Sequence, residues 1–216
     1  MKYIRKREAP NFLHRWIEGF VEVYGCEPQY SNFRNTPEWI DLREALLDEQ
    51  GYICCYCTKR IENWDCHVEH FIPRSLQNRD PHSQNAQNIQ LDYANMLLSC
   101  NGEHGMRDHC GHYKDDESSP MLLSPCQADI ESHFEYRADG EIIGKDPEAM
   151  STIRILNLNS YALKRHRDTA IYNAICTDPE VLENKDESIA FYLSKDTEGK
   201  YTPFCTCIAW AIKHLF

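Results

Sequence analysis

The feature that most constrains this chain is the placement of its cysteines, of which there are eleven in 216 residues. The basic start, MKYIRKREAP, is not followed by the apolar stretch of a secretory signal. With an odd cysteine count, this argues against a disulfide framework and for reduced thiols, some of them on metal. Four cysteines fall into two separated pairs, Cys54-x-x-Cys57 and then Cys100 and Cys110. The first spacing lets two thiolates point at one ion, and a second pair completes the tetrahedron of a closed structural zinc site. Nine residues separate Cys100 from Cys110, and Gly102 and Gly105 among them make that excursion easy. His104 or His109 could replace one member of the second pair, and buried free thiols are the plainer reading of all four. Cys55 is not counted as a ligand. Cys26, Cys126, Cys176 and Cys205-x-Cys207 carry no comparable spacing.

Between the two pairs lies CHVEHFIPRS, residues 66–75. A carboxylate directly followed by a histidine at the end of a strand offers a metal ligand and a general base on neighbouring side chains. Histidine titrates near pH ~6.5, which suits proton abstraction at neutral pH. Asn95 follows in YANMLLSC, then His112 and Lys114 in CGHYK. Singly, each has a duller reading: an exposed acid beside a packed histidine, a cap, a surface imidazole.

Taken in order, Cys54–Cys57, Glu69-His70-Phe-Ile-Pro73, Asn95-Met-Leu-Leu-Ser-Cys100 and Cys110–Lys114 resemble the HNH endonuclease family over residues 50–116, about a third of the chain. The resemblance implies a ββα-metal core held by a four-cysteine zinc knot. It implies His70 as the base that activates water, and Glu69 and His112 as ligands of a catalytic divalent ion, Mg²⁺ or Mn²⁺. Asn95 would tie down the loop backbone. Glu stands here where Asp is commoner and His where Asn is commoner; His112 widens the metal choice.

The opening MKYIRKREAPNFL, the SCNG…HCGHYK spacing, HFEYRADGEIIG and TIRILNLNSYALKRHRD are similar to the Septu and retron-associated HNH nucleases, the PtuB group. That similarity implies anti-phage defence under a partner ATPase of the ABC/SMC-like PtuA type. In retron systems a reverse transcriptase and its msDNA join. HNH cores cut DNA, the favoured substrate here, and some relatives act on tRNA.

Net charge is −11, which counts against a stand-alone nucleic-acid binder because Lys and Arg supply most non-specific affinity. Arg74, Lys114, Arg165 and Arg167 are candidate phosphate contacts, ordinary solvated charge being the alternative for each. No apolar run reaches the roughly 20 residues of a membrane span, so a cytoplasmic location is expected.

Cap and proline signals at 35–38 predict a helix over 37–49. Residues 52–72 read as β-like with a turn at 62–65, 73–88 as a polar loop and 108–116 as a polar helix. Asp139-Gly140 predicts a hairpin, 149–175 a helix, and FCTCIAWAIKHLF an apolar helix. Phe204, Trp210 and Leu215 would make that last helix a docking surface or a cap on the protein's own core. The whole predicts an α+β fold: an N-terminal helical segment (1–49), the nuclease core (50–118), and a hairpin-plus-helices region (119–216). A catalytically inactive zinc-binding interaction module is the competing function.

Overall fold

Thr36 starts the helix that delivers the chain to the cysteines: its hydroxyl accepts from Trp39 N (3.2 Å), with proline at the first helical position. This helix, α3 (Pro37–Gln50), ends at Gly51, whose φ of +66° closes the C-cap. Before it come α1 (Asn11–Tyr24) and the short α2 (Tyr30–Phe33). The computed structural model describes residues 1–79, 88–178 and 180–215, and the side chains of all of these except 77–79.

After α3 the β-like stretch is more broken than its alternation predicts. A single bridge pairs Ile53 with Arg60, and the cysteine turn between them diverts the chain. A true strand, β1, runs only over Cys66–His70. It pairs antiparallel with β2 (Met96–Cys100), in a register that sets Cys66 opposite Cys100 and Glu69 opposite Leu97. The polar stretch predicted as a loop opens with a 3-10 turn at Arg74–Arg79; residues 80–87 lie outside the described residues.

The polar helix predicted over 108–116 shrinks to α4 (Gly111–Lys114). Cys110 precedes it at φ +62°, and its N–H donates to Leu156 O (2.9 Å), so the backbone there is committed elsewhere. The hairpin forms from β3 (Phe134–Tyr136) and β4 (Ile142–Gly144), with Gly140 at φ +77° in the turn. A Cβ at Gly140 would sit 2.1 Å from Lys164 O, so the turn also needs glycine for close packing.

The single helix predicted over 149–175 is two helices, α5 (Pro147–Ile155) and α6 (Tyr161–Cys176). The interruption, Leu-Asn-Leu-Asn-Ser, holds residues that bond outward rather than along a helix. Asn157 Nδ2 donates to Asp108 O (2.7 Å), Asn159 exchanges two bonds with Ile142, and Ser160 Oγ caps α6. Then follow α7 (Glu180–Glu183), α8 (Lys185–Leu193) and α9 (Cys205–His214).

Helix α9 settles the choice left open for the C-terminus. Phe204, Cys205, Cys207, Ile208, Ala211 and Ile212 are buried, and the helix packs on α8, α6 and β3. It caps the protein's own core with Phe204 buried, while Trp210 is half-buried and Leu215 stays exposed. One hydrophobic cluster draws on all three stretches, from Met1 and Ile4 through Leu97 and Leu98 to Ile208 and Ile212. Helices with two small antiparallel sheets make the fold α+β. Among the described residues no helix is long and apolar enough to cross a membrane.

Candidate active site and metal centre

The four cysteines meet. Cys54, Cys57, Cys100 and Cys110 are buried, with their sulfurs all within 4.8 Å of one another. A Zn–S bond of about 2.3 Å in a tetrahedron separates sulfurs by about 3.8 Å, and Cys57 Sγ lies 3.7 Å from Cys100 Sγ. Cys54 is held well below the ordinary thiol value: burial opposes this, but hydrogen bonds from Cys100 and Cys110 outweigh it. The donor set therefore fits a structural zinc ion. His109, a considered substitute ligand, instead stands behind the knot with Nδ1 3.1 Å from Cys110 Sγ. His104 is exposed and pairs with Glu103. Cys55 stays outside the quartet, its N–H donating to Leu98 O (3.1 Å).

The knot pins three pieces at once: the turn after α3, the end of β2, and the start of α4. Ser99 Oγ, inside β2, accepts from Gly111 N (3.0 Å) and so fixes α4 against the sheet. Glu69 and His70 leave the last positions of β1 onto this platform, while His112 and Lys114 arrive from α4.

His70 is buried, and its Nε2 lies 2.9 Å from Gln90 O. A carbonyl can only accept, so Nε2 carries the proton and Nδ1 keeps the lone pair. Burial pushes the imidazole down to about 4, against the pull of the Gln90 carbonyl and helped by the charge on Arg74. Tyr30 stands edge-on to the ring at 4.8 Å, itself held by a bond from Trp39 Nε1 (3.0 Å).

Asn95 clamps the loop behind His70. Its Oδ1 accepts from Ile72 N (2.7 Å), and its Nδ2 donates to Ile72 O (3.0 Å) and Ile89 O (2.9 Å).

Glu69 is buried with one oxygen engaged: Oε1 accepts from Tyr56 OH (3.0 Å) and pairs with Lys114 Nζ (2.8 Å). Burial would raise its carboxyl pKa, but hydrogen bonding to His67 and then the charge and hydrogen bond of Lys114 bring it below the usual value. The other oxygen, Oε2, lies 3.5 Å from His67 Nε2. His67 stacks on His112 at 3.8 Å. Burial, and next the charge of His67, push the His112 pKa down to about 4.

The four candidate phosphate contacts part company. Lys114 is buried against Glu69 and His70 O, and Arg167 is 2% exposed, bonded to Gly140 O, Leu158 O and Asn159. Neither presents its charge to solvent. Arg165 is exposed on α6 beside Tyr161. Arg74 is exposed and lies over Tyr30 at 4.9 Å.

Arg74 also borders a cleft of about 670 Å³ that no sequence pattern foretold. Arg34, Arg107, Trp39, Trp64, His67 and His112 line it, with no carboxylate among the described lining residues. Trp64 is 83% exposed. The basic N-terminus contributes nothing there: Lys2, Lys6 and Arg7 are paired with Glu131, Glu49 and Asp48. Arg74 and His112 were already site candidates from the sequence; of the other lining residues His67 had a readable signal, standing two positions before Glu69 and hence on the same face of a strand.

The site sets a buried histidine and a buried carboxylate at the end of a two-stranded ribbon that a quartet of thiols fastens. No family model matches the chain. Over 153 residues it is 28% identical to a protein of Vibrio cholerae serotype O1 biovar El Tor named "Retron Vc95 putative HNH endonuclease", covering 68% of this chain and 71% of that protein. This distant likeness supports the HNH endonuclease family and points to nuclease activity.

Proposed function

We propose that the protein is a metal-dependent HNH endonuclease that hydrolyses phosphodiester bonds, with DNA favoured over tRNA or other RNA. The observation that carries this is a cleft lined by arginine and free of described carboxylates, two of whose lining residues, Tyr30 and His67, contact His70 and Glu69 in turn. In a chain of net charge −11, such a cleft is a local exception that suits a phosphate backbone.

In this reading β1, β2 and α4 form the ββα core, with zinc on the cysteine quartet as a scaffold. His70 takes the proton of the attacking water on Nδ1 while Gln90 O holds the ring through Nε2. Asn95 keeps the loop from moving as it does so. Glu69 Oε2, with an imidazole beside it, holds a divalent ion, Mg²⁺ or Mn²⁺; His112 is the imidazole the family resemblance nominates. When bound, the ion neutralises charge building on the phosphoryl oxygens and assists the leaving oxygen. Arg34, Arg74 and Arg107 receive flanking phosphates.

The relative's name carries a retron, which supports a role as the effector of a Septu or retron anti-phage system. Control by a PtuA-like ATPase would account for an acidic nuclease that engages nucleic acid only when a partner presents it. The test is cleavage of plasmid DNA and total tRNA with Mg²⁺ or Mn²⁺, with and without a PtuA-like ATPase. Wild type should cut and His70→Ala should lose about 10²–10⁴-fold in rate with its zinc content unchanged. Wild type that cuts neither substrate under any of these conditions leaves the inactive zinc module as the function.

A further inference from the structure

We infer that His67, rather than His112, is the imidazole ligand of the divalent ion at Glu69, an assignment that rests on the metal-dependent nuclease reading. Side chains two apart on a strand share a face, and β1 thereby sets His67 Nε2 3.5 Å from Glu69 Oε2. Because Tyr56 and Lys114 engage Oε1, Oε2 is the oxygen left for an ion. Adjacent ligands of an octahedral ion at about 2.1 Å lie roughly 3 Å apart, so the gap closes on an ion with a shift of a few tenths of an ångström.

Two further features prepare that gap. A Cβ on Gly111 would lie 2.4 Å from Glu69 Oε2 and 2.7 Å from His67 Nε2. Glycine at 111 thus lets the start of α4 approach both atoms closely, and any side chain there would displace them. Asn101 Oδ1 lies 3.0 Å from His67 Nδ1. As a carbonyl oxygen it accepts from Nδ1–H, so an ion between Nε2 and the carboxylate would take the place of the Nε2 proton that otherwise hydrogen-bonds Glu69. Metal-binding histidines are oriented in this way, by a hydrogen bond from the other ring nitrogen.

His112 is differently disposed. Its Nε2 turns to the same Asn101 oxygen (3.2 Å), and its ring lies flat on His67. Among the described residues, His67, Glu69 and His112 do not converge as a three-ligand cluster of the kind the cysteines form. His112 is therefore a positioning residue that braces His67.

The experiment loads the full, zinc-containing chain with Mn²⁺ alone, without nucleic acid. Pulsed EPR reads nitrogen coupling to the ion, and calorimetry reads affinity. Wild type and His112→Ala should both show the nitrogen coupling, and His67→Ala should lose it and bind Mn²⁺ at least tenfold more weakly. Gly111→Ala should also weaken binding, with every ligand still present. If His67→Ala loses zinc and so fails to fold, His67→Gln, which can keep the Asn101 bond, decides in its place. Nitrogen coupling that survives loss of His67, or vanishes only in His112→Ala, overturns the assignment. Wild type that cuts nucleic acid while failing this test sinks the ligand alone. Wild type that binds Mn²⁺ through His67 yet cuts nothing sinks the nuclease reading alone.

Discussion

A buried charge reveals its role by what it touches. Arg167 donates to two backbone carbonyls and one amide oxygen that join α6 to the hairpin turn and to the Leu158–Asn159 link. Arg167→Ala removes one partner of each bond and leaves buried acceptors unmet, at about 1–3 kcal/mol per group before relaxation. We expect a loss of about 2–4 kcal/mol in urea unfolding, with nucleic-acid affinity per folded molecule unchanged. A normal unfolding curve with weakened binding would instead restore Arg167 as a phosphate contact. Lys114 shows the same logic inside the site, where its ammonium holds Glu69 ionised and tethers the end of β1 to α4.

Elements meet through caps as much as through apolar faces. Asp146 caps α5 with Oδ1 on Ala149 N (2.7 Å), while its Oδ2 bonds His133 at the foot of β3. Asp146, by its hydrogen bond, raises the His133 pKa above the ordinary value, and Asp129 adds to it. A raised folded pKa means that the contribution is complete below the unfolded value near ~6.5 and fades as pH climbs through the folded one. His133→Asn should therefore destabilise by up to about 1 kcal/mol at pH 6 and by distinctly less at pH 9, read by thermal unfolding. An equal penalty at both pH values would show that the ring acts by packing, not charge.

For the whole molecule the knot is a hub, because the turn after α3, the β1–β2 ribbon and α4 are all fastened to it. Structural zinc sites bind with about 10–16 kcal/mol, as much as the roughly 5–15 kcal/mol that stabilises a whole domain. Chelation should abolish cooperative unfolding of the core, followed by near-ultraviolet circular dichroism with zinc content in parallel. A chelated protein that melts as before would reduce the quartet to buried thiols. The arginine cleft makes a second claim at this scale. Arg34→Glu with Arg107→Glu should weaken nucleic-acid binding and flatten its salt dependence by about 0.7–0.9 for each phosphate no longer neutralised. An unchanged slope would place the substrate elsewhere.

Patterns written in short spacings were legible from the chain alone. Thr36-Pro37 and Gly51 bounded α3, Asp139-Gly140 marked the hairpin, and the cysteine spacing announced a quartet, because caps, turns and chelating pairs act over a few residues. The same spacings drew attention to Glu69, His70 and Asn95, which the fold brings to one end of the β1–β2 ribbon. Tertiary structure alone decided the rest. It broke 149–175 at two asparagines bonded to distant backbone, and it turned α9 inward. It buried Lys114 and Arg167, and it gathered Arg34, Arg74, Arg107 and Trp64 around one cleft. Those outcomes depend on which partner arrives from far along the chain, and no local pattern encodes that. The cysteines therefore announced a metal knot and the two-residue spacing put His67 on the face of Glu69, while Asn101 and the close approach of Gly111 emerged only once the chain had folded around them.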